Sequence, residues 1–179
     1  MRASLTVLSM IFAVATVDAT QFEPFDRATQ VRGSDVILLG RVAAVRSGWN
    51  DSRTAIFTET QIDVTEVWKG MPATDRVVVR VPGGNAGEIE QVVEGAARFE
   101  TGELVVVFLE REAETYRPWG MAFGKYSLEG TGQDAFLVGG LPPVIRGAQA
   151  FDQVSVALVD LRREVDAILE GELLDGRLP

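Results

Sequence analysis

Three features of this sequence predict a mainly β domain, a small closed barrel with one helix at its C-terminal end. Strand-type alternation recurs from residue 35 to residue 129, with turn clusters between the runs. One run, residues 54–68, is too long to lie straight in a domain of this size. About fifteen residues at roughly 3.3 Å each would reach near 50 Å. The apolar phase of that run also slips by one after Val64, where Glu66 takes the even position and Val67 the other parity. Such a slip is what a β-bulge produces, and a bulge bends and twists its strand. Long, coiled, bulged strands belong to small closed barrels more than to flat sandwiches.

The chain opens on a segment with the pattern of a signal peptide, residues 1–19. Arg2 supplies a positive start, an apolar run fills residues 4–17, and Val17 and Ala19 occupy the small-residue positions of a cleavage site before Thr20. The run is shorter than the roughly 18–20 apolar residues of a membrane span. The expectation is a secreted or periplasmic protein, free of the membrane after cleavage, with residues 20–179 forming a single domain. With 17 Lys and Arg against 26 Asp and Glu, the chain carries a net charge of −9. That charge repels phosphate backbones, so nucleic acid is not an expected partner.

The sequence holds no cysteine and no histidine. Ser-His-Asp triads, Cys-His pairs and zinc sites of the nitrogen or sulfur type are therefore excluded. A metal would have to be a hard, oxygen-bound ion such as Ca²⁺, and no cofactor is implied. An exported chain without disulfides fits a bacterial source better than a small animal extracellular domain.

Along the chain, residues 22–33 read as a short helix or turn, with Asp26 as cap and Gly33 as terminator. Residues 35–46 open with Val36, Ile37, Leu38 and Leu39, a strand apolar on both faces. Residues 47–53 are a turn cluster, and in residues 54–68 Ile56, Thr58, Thr60, Ile62 and Val64 share one face. Residues 76–81 alternate, with Val77, Val79 and Val81 facing in, and 82–87 is a glycine-rich loop. Residues 88–94 are a weak edge strand, 96–102 a turn, and 104–109 an apolar central strand. Residues 116–122 and 124–129 read as a final hairpin, with Pro118 confining the first to an edge. Residues 130–143 read as a crossing loop around Phe136 to Val138. A helix is predicted over residues 153–170, capped by Asp152 or Ser155 and stopped at Gly171, with Val154, Leu158, Leu161, Val165 and Ile168 as its apolar stripe.

These motifs occur in a telling order: Gly40-Arg41-Val42, Trp49, Val67-Trp68-Lys69-Gly70, Val81-Pro82-Gly83-Gly84, Gly95-Ala96-Ala97-Arg98-Phe99, Gly102-Glu103, and Gly120 with Gly124-Lys125-Tyr126. The order resembles a group of secreted bacterial proteins of uncharacterised function. Their architecture is similar to the OB-type barrel of the netrin and metalloproteinase-inhibitor (TIMP-like) superfamily. The resemblance covers about residues 30–130 and implies a closed OB-like β-barrel; an immunoglobulin-like β-sandwich is the alternative that strand count allows. Some members are encoded near secreted matrixin-like metalloproteases, which implies a protease-directed role. The animal inhibitors place an N-terminal cysteine on the catalytic zinc, and this chain has no cysteine. Any inhibition would need another wedge, such as the 82–87 or 47–53 loop.

The candidate binding residues are accordingly Trp49, Asn50, Asp51, Gly83, Gly84 and Asn85. The glycines of 82–87 lack the following helix, Lys and Ser/Thr of a phosphate loop, and a turn with positive φ explains them better. Asn50-Asp51-Ser52 lacks the spacing of a calcium loop and reads as a hairpin turn. Trp68 and Trp119 read as packing residues. Lys125 and Ser127 lie two apart on a strand, which imposes no contact between them. The expected function is a non-enzymatic binding module that engages a protein partner, a secreted metalloprotease first among them. The competing readings are a barrel holding a small apolar ligand and a hydrolase using paired carboxylates.

Overall fold

The computed structural model describes residues 26–130, 135–139 and 154–174. The expected signal peptide, the Asp152 cap and parts of the 130–143 crossing lie outside the described residues. The first helix, α1 (Arg27–Gly33), starts as its sequence predicts: the Asp26 carboxylate accepts the Thr29 N–H at 2.6 Å. Burial of that helix against the sheet is close enough that a Cβ on Gly33 would overlap the Trp119 indole.

A meander follows: β1 (Val36–Trp49), β2 (Ile56–Lys69) and β3 (Arg76–Pro82). A small hairpin, β4 (Gly84–Ala86) with β5 (Ile89–Gln91), forms a separate two-stranded sheet. The chain continues through β6 (Leu104–Glu112), β7 (Thr115–Pro118), a 3₁₀ turn (Met121–Gly124), β8 (Lys125–Glu129), β9 (Phe136–Gly139), β10 (Val154–Ala157) and α2 (Leu158–Leu174). The fold is mainly β with a C-terminal helix. The large sheet runs β1-β2-β3-β7-β6-β8-β9-β10, and β1 also pairs with β6. The strands β1, β2, β3, β7 and β6 therefore make a ring of five, joined between β3 and β7 by one parallel bridge, Val79 with Tyr116.

The bending predicted for the second strand has a visible cause. Along the β1–β2 register, Thr65 and Trp68 are extra residues on β2, and Ala43 is extra on β1. The Thr65 bulge is the phase slip after Val64. The Trp68 bulge shifts the phase again, so Trp68 is buried on the outer side of the ring while Val67 is exposed.

Two apolar cores share the central strands. Val36, Leu38, Ile62, Val79, Val105 and Val107 belong to the core inside the ring. Ile37, Val106, Phe108 and Leu137 belong to a second core, where Val31 of α1 and Leu161 and Val165 of α2 cover the sheet. Residues 36–39 and 104–109 are apolar on both faces because each strand is covered on both sides. Lys69 links the layers: its half-buried ammonium donates to the carbonyls of Val31 (2.7 Å) and Arg32 (3.2 Å) at the end of α1. Loss of hydration pushes its pKa down.

Several sequence expectations need correction. Ser47, Gly48 and Trp49 stay in β1, opposite Thr58, Phe57 and Ile56, and the turn occupies residues 50–55. In the segment 82–87, Pro82 ends β3 and Gly84–Ala86 form the first arm of a hairpin, and only Ile89–Gln91 of 88–94 is strand. Residues 116–122 and 124–129 do not pair with each other. β7 pairs with β6 across a tight turn, and β8 pairs with β6 further along the same edge, because Trp119 bonds back to Phe108 O at 2.8 Å and a 3₁₀ turn intervenes. Phe136 to Val138 lie in β9 rather than in a loop. The helix starts at Leu158, Ser155 sits in β10, and the helix runs through Gly171 to Leu174.

Candidate functional site

At one end of the ring, the inner face opens into a cleft of about 330 Å³. Its apolar floor is formed by Val45, Val81, Ala97 and Phe99, which also border the ring's core. One wall is the β4–β5 hairpin, and the other is the segment 96–100.

The hairpin is held over the ends of β1 and β2 by polar contacts. The Ser47 and Thr58 hydroxyls lie 2.8 Å apart, and Thr58 Oγ1 donates to Gly83 O at 2.8 Å. Gln91 Oε1 accepts the Ile56 N–H at 2.9 Å, and Gly83 N–H donates to Ile56 O at 2.8 Å. The glycines are needed here. Gly83 and Gly84 have φ of +94° and +124°, and a Cβ on Gly84 would overlap both the Thr58 and the Ser47 hydroxyls. The positive-φ reading of this segment therefore holds.

The opposite wall is fixed from behind. Glu103 accepts from Lys125 Nζ at 2.5 Å and from Ser127 Oγ at 2.6 Å, and its second oxygen accepts the Glu100 N–H at 3.1 Å. Lys125 Nζ also donates to Ser127 Oγ at 2.7 Å and stands over the Phe99 ring. Lys125 and Ser127, whose spacing alone imposes no contact, thus do meet, because Glu103 gathers both. An ammonium donating to a carboxylate is not a free base, so this cluster ties the 96–100 wall to β6 and β8.

Of the residues singled out from sequence, Gly83, Gly84 and Asn85 line the cleft, and Trp49, Asn50 and Asp51 do not. Trp49, 42% exposed, ends β1 opposite Ile56, the residue to which Gln91 is bonded. Asn50 organises its own turn: Oδ1 accepts the N–H groups of Thr54 (2.8 Å) and Ala55 (3.2 Å), and Nδ2 donates to Thr54 Oγ1. Asp51 is exposed in that turn. Trp68 is buried beneath α2, with the Arg162 guanidinium 5.2 Å from its ring centre, and Trp119 packs on the same core.

Sequence reading missed Ser47, Thr58, Gln91 and Phe99. Ser47 and Thr58 were visible only as members of a turn and a strand face. Phe99 carried a signal, as an aromatic inside a segment otherwise read as a turn.

Two carboxylates, Glu90 and Glu100, border the cleft, and both are exposed. Neither has the shielding that a general-acid carboxyl in glycoside hydrolysis requires. Among the described residues there is no group of three or more acidic side chains placed to hold a metal ion. No helix among them is long and apolar enough to cross a membrane. In comparisons with known proteins, no protein-family model and no curated protein matches this chain.

Proposed function

We propose that this chain is an exported, non-catalytic binding module that engages a protein partner at the cleft end of a small, closed, OB-like barrel. The observation that carries the reading is the cleft itself: an apolar floor at the end of the ring, between a glycine-set hairpin and a braced segment. Exposed apolar side chains stand on the elements around it: Trp49, Ile89 (53% exposed) and Val92 (55%). Aromatic and aliphatic anchors beside a pocket, with a polar rim, are what protein interfaces use for affinity. Closure of the barrel is supported by the ring order β1-β2-β3-β7-β6 and its parallel β3–β7 contact. Export, to the periplasm or the medium, rests on the N-terminal pattern of residues 1–19.

A secreted metalloprotease is the first partner to test, on the strength of the motif resemblance. The purified chain, Trp49→Ala and Gly84→Ala are each assayed for inhibition of secreted metalloproteases and used to capture proteins from culture supernatant. A partner bound by the native chain and lost by Gly84→Ala supports the proposal. A partner bound equally by all three, or none bound, removes it.

The cleft volume also reaches the lower end of the range for small-molecule sites, roughly 300–1,000 Å³. Saturation by a small apolar ligand, with no protein bound, would favour that second reading.

A further inference from the structure

We infer that the cleft takes an extended polypeptide strand, which pairs with the backbone of residues 97–99 and carries a basic residue next to an apolar one. This rests on the proposal that the cleft binds a protein partner, and it names the form that partner presents.

The first support is the state of the 96–100 wall. From Ala97 to Glu100, side chains buried in the ring's core (Ala97, Phe99) alternate with exposed ones (Arg98, Glu100), as in a strand, while Ala96 before them is buried as well. The segment belongs to no sheet. Among the described residues, no hydrogen bond reaches the N–H or C=O of Ala97, Arg98 or Phe99. The positions on either side are engaged. Ala96 N–H donates to Val93 O at 3.3 Å, Gly95 O accepts the Ala122 N–H at 2.9 Å, and Glu100 bonds to Glu103 through both its N–H and its C=O. The result is a three-residue length of strand-like backbone, pinned at both ends, along the side of an apolar cleft.

A second strand is the ligand that matches such an edge. It offers donors and acceptors at the same repeat, and alternate side chains reach one face. Exchanging water for the groups of a partner strand is nearly neutral in hydrogen-bond free energy. Net affinity then comes from seating an apolar side chain on Phe99, Val81 and Val45. Because the wall is already pinned at both ends, little ordering cost falls on this side of the interface.

The second support is the charge of the rim. Glu90, Glu100 and Arg98 border the cleft, an excess of one carboxylate; just outside it, Glu88 and Glu94 are exposed on either side of β5, and Arg46 is exposed between Val45 and Ser47. The excess of carboxylates favours a cationic side chain beside the apolar anchor.

The test selects peptides from a displayed random library on the full chain. The expected pool alternates apolar and polar positions, carries Lys or Arg next to the anchor, and lacks proline in the paired stretch. In an amide NMR spectrum, the selected peptide should slow exchange at residues 97–99. N-methylation of its pairing amides should weaken binding by about tenfold or more, the equivalent of one net hydrogen bond. A double variant, Glu90→Lys with Glu100→Lys, changes only exposed side chains and should redirect selection toward acidic sequences. Selected peptides that tolerate N-methylation and leave residues 97–99 unchanged would overturn strand pairing while leaving a protein-binding cleft in place. A library that yields nothing, beside a partner protein that still binds and is lost by Gly84→Ala, would likewise overturn this inference alone.

Discussion

On the side covered by α1 and α2, Ile37, Val106, Phe108 and Leu161 are fully buried, and the backbone around them lies in paired strands or helix. At the cleft end, Ala97 and Phe99 are also buried, yet the backbone between them makes no bond to any described residue. Both regions bury apolar side chains, but only the first also satisfies its main chain from within. The difference teaches where each property resides. The helix-covered layer holds the fold together, and the cleft end leaves a length of unpaired backbone, which we propose as the edge a partner strand would use.

The largest expected effect falls in the covered layer. Phe108 meets Tyr126 edge-on at 5.7 Å between ring centres and lies beneath the Arg27 guanidinium. Phe108→Ala should cost about 3–5 kcal/mol in denaturant unfolding. A loss below about 1 kcal/mol would show that this layer does not carry the stability assigned to it.

Glu103→Gln comes next. It removes the carboxylate on which Lys125, Ser127 and the Glu100 N–H converge. Unfolding measurements should show a loss of about 1–3 kcal/mol. Amide shifts should change along 96–100 and stay constant in α2, since the cluster braces only the cleft wall.

Gly84→Ala sharpens the comparison further. Its Cβ overlaps the Thr58 and Ser47 hydroxyls, and its φ is +124°. A stability loss of about 1–3 kcal/mol is expected. Binding at the cleft should be lost in variant protein that remains folded by circular dichroism. Retained binding would detach the hairpin from the site.

The smallest effect concerns pH. The hydrogen bond from Thr29 holds Asp26 below the usual carboxylate range, and the hydrogen bond from Arg76 does the same for Asp63. A depressed carboxylate stabilises the fold above its unfolded value, 3.8 for Asp, and loses that contribution as pH falls through its lower folded value. The native chain should therefore lose stability on acidification below that range. Asp26→Ala should lose slightly less, because one of the two contributions is already gone. Identical acid limbs for the two proteins would contradict the capping role.

Much of the fold was legible because it rests on local patterns. The runs Val36-Ile37-Leu38-Leu39 and Leu104 to Leu109, apolar on both faces, announced strands covered twice. The slip after Val64 announced the Thr65 bulge. What stayed hidden depends on partners distant in sequence. Ser47 and Gly48 have turn propensity, yet pairing with Thr58 and Phe57 keeps them in β1. Lys125 and Ser127 meet through Glu103, more than twenty residues earlier. Val154 to Ala157 fit a helical stripe, but β9 captures them as strand. Half of the site was legible through its glycines, whose backbone needs show locally. The cleft's other wall was not, because a segment without strand pairing reads as a turn.

The most direct test of the account is amide hydrogen exchange at residues 97–99 of the unliganded chain, compared with residues 105–109 of β6. Ala97, Arg98 and Phe99 should exchange orders of magnitude faster than the β6 amides, despite the burial of Ala97 and Phe99. Exchange as slow as that of β6 would mean that this backbone is already satisfied, and the cleft would have no edge to offer a partner.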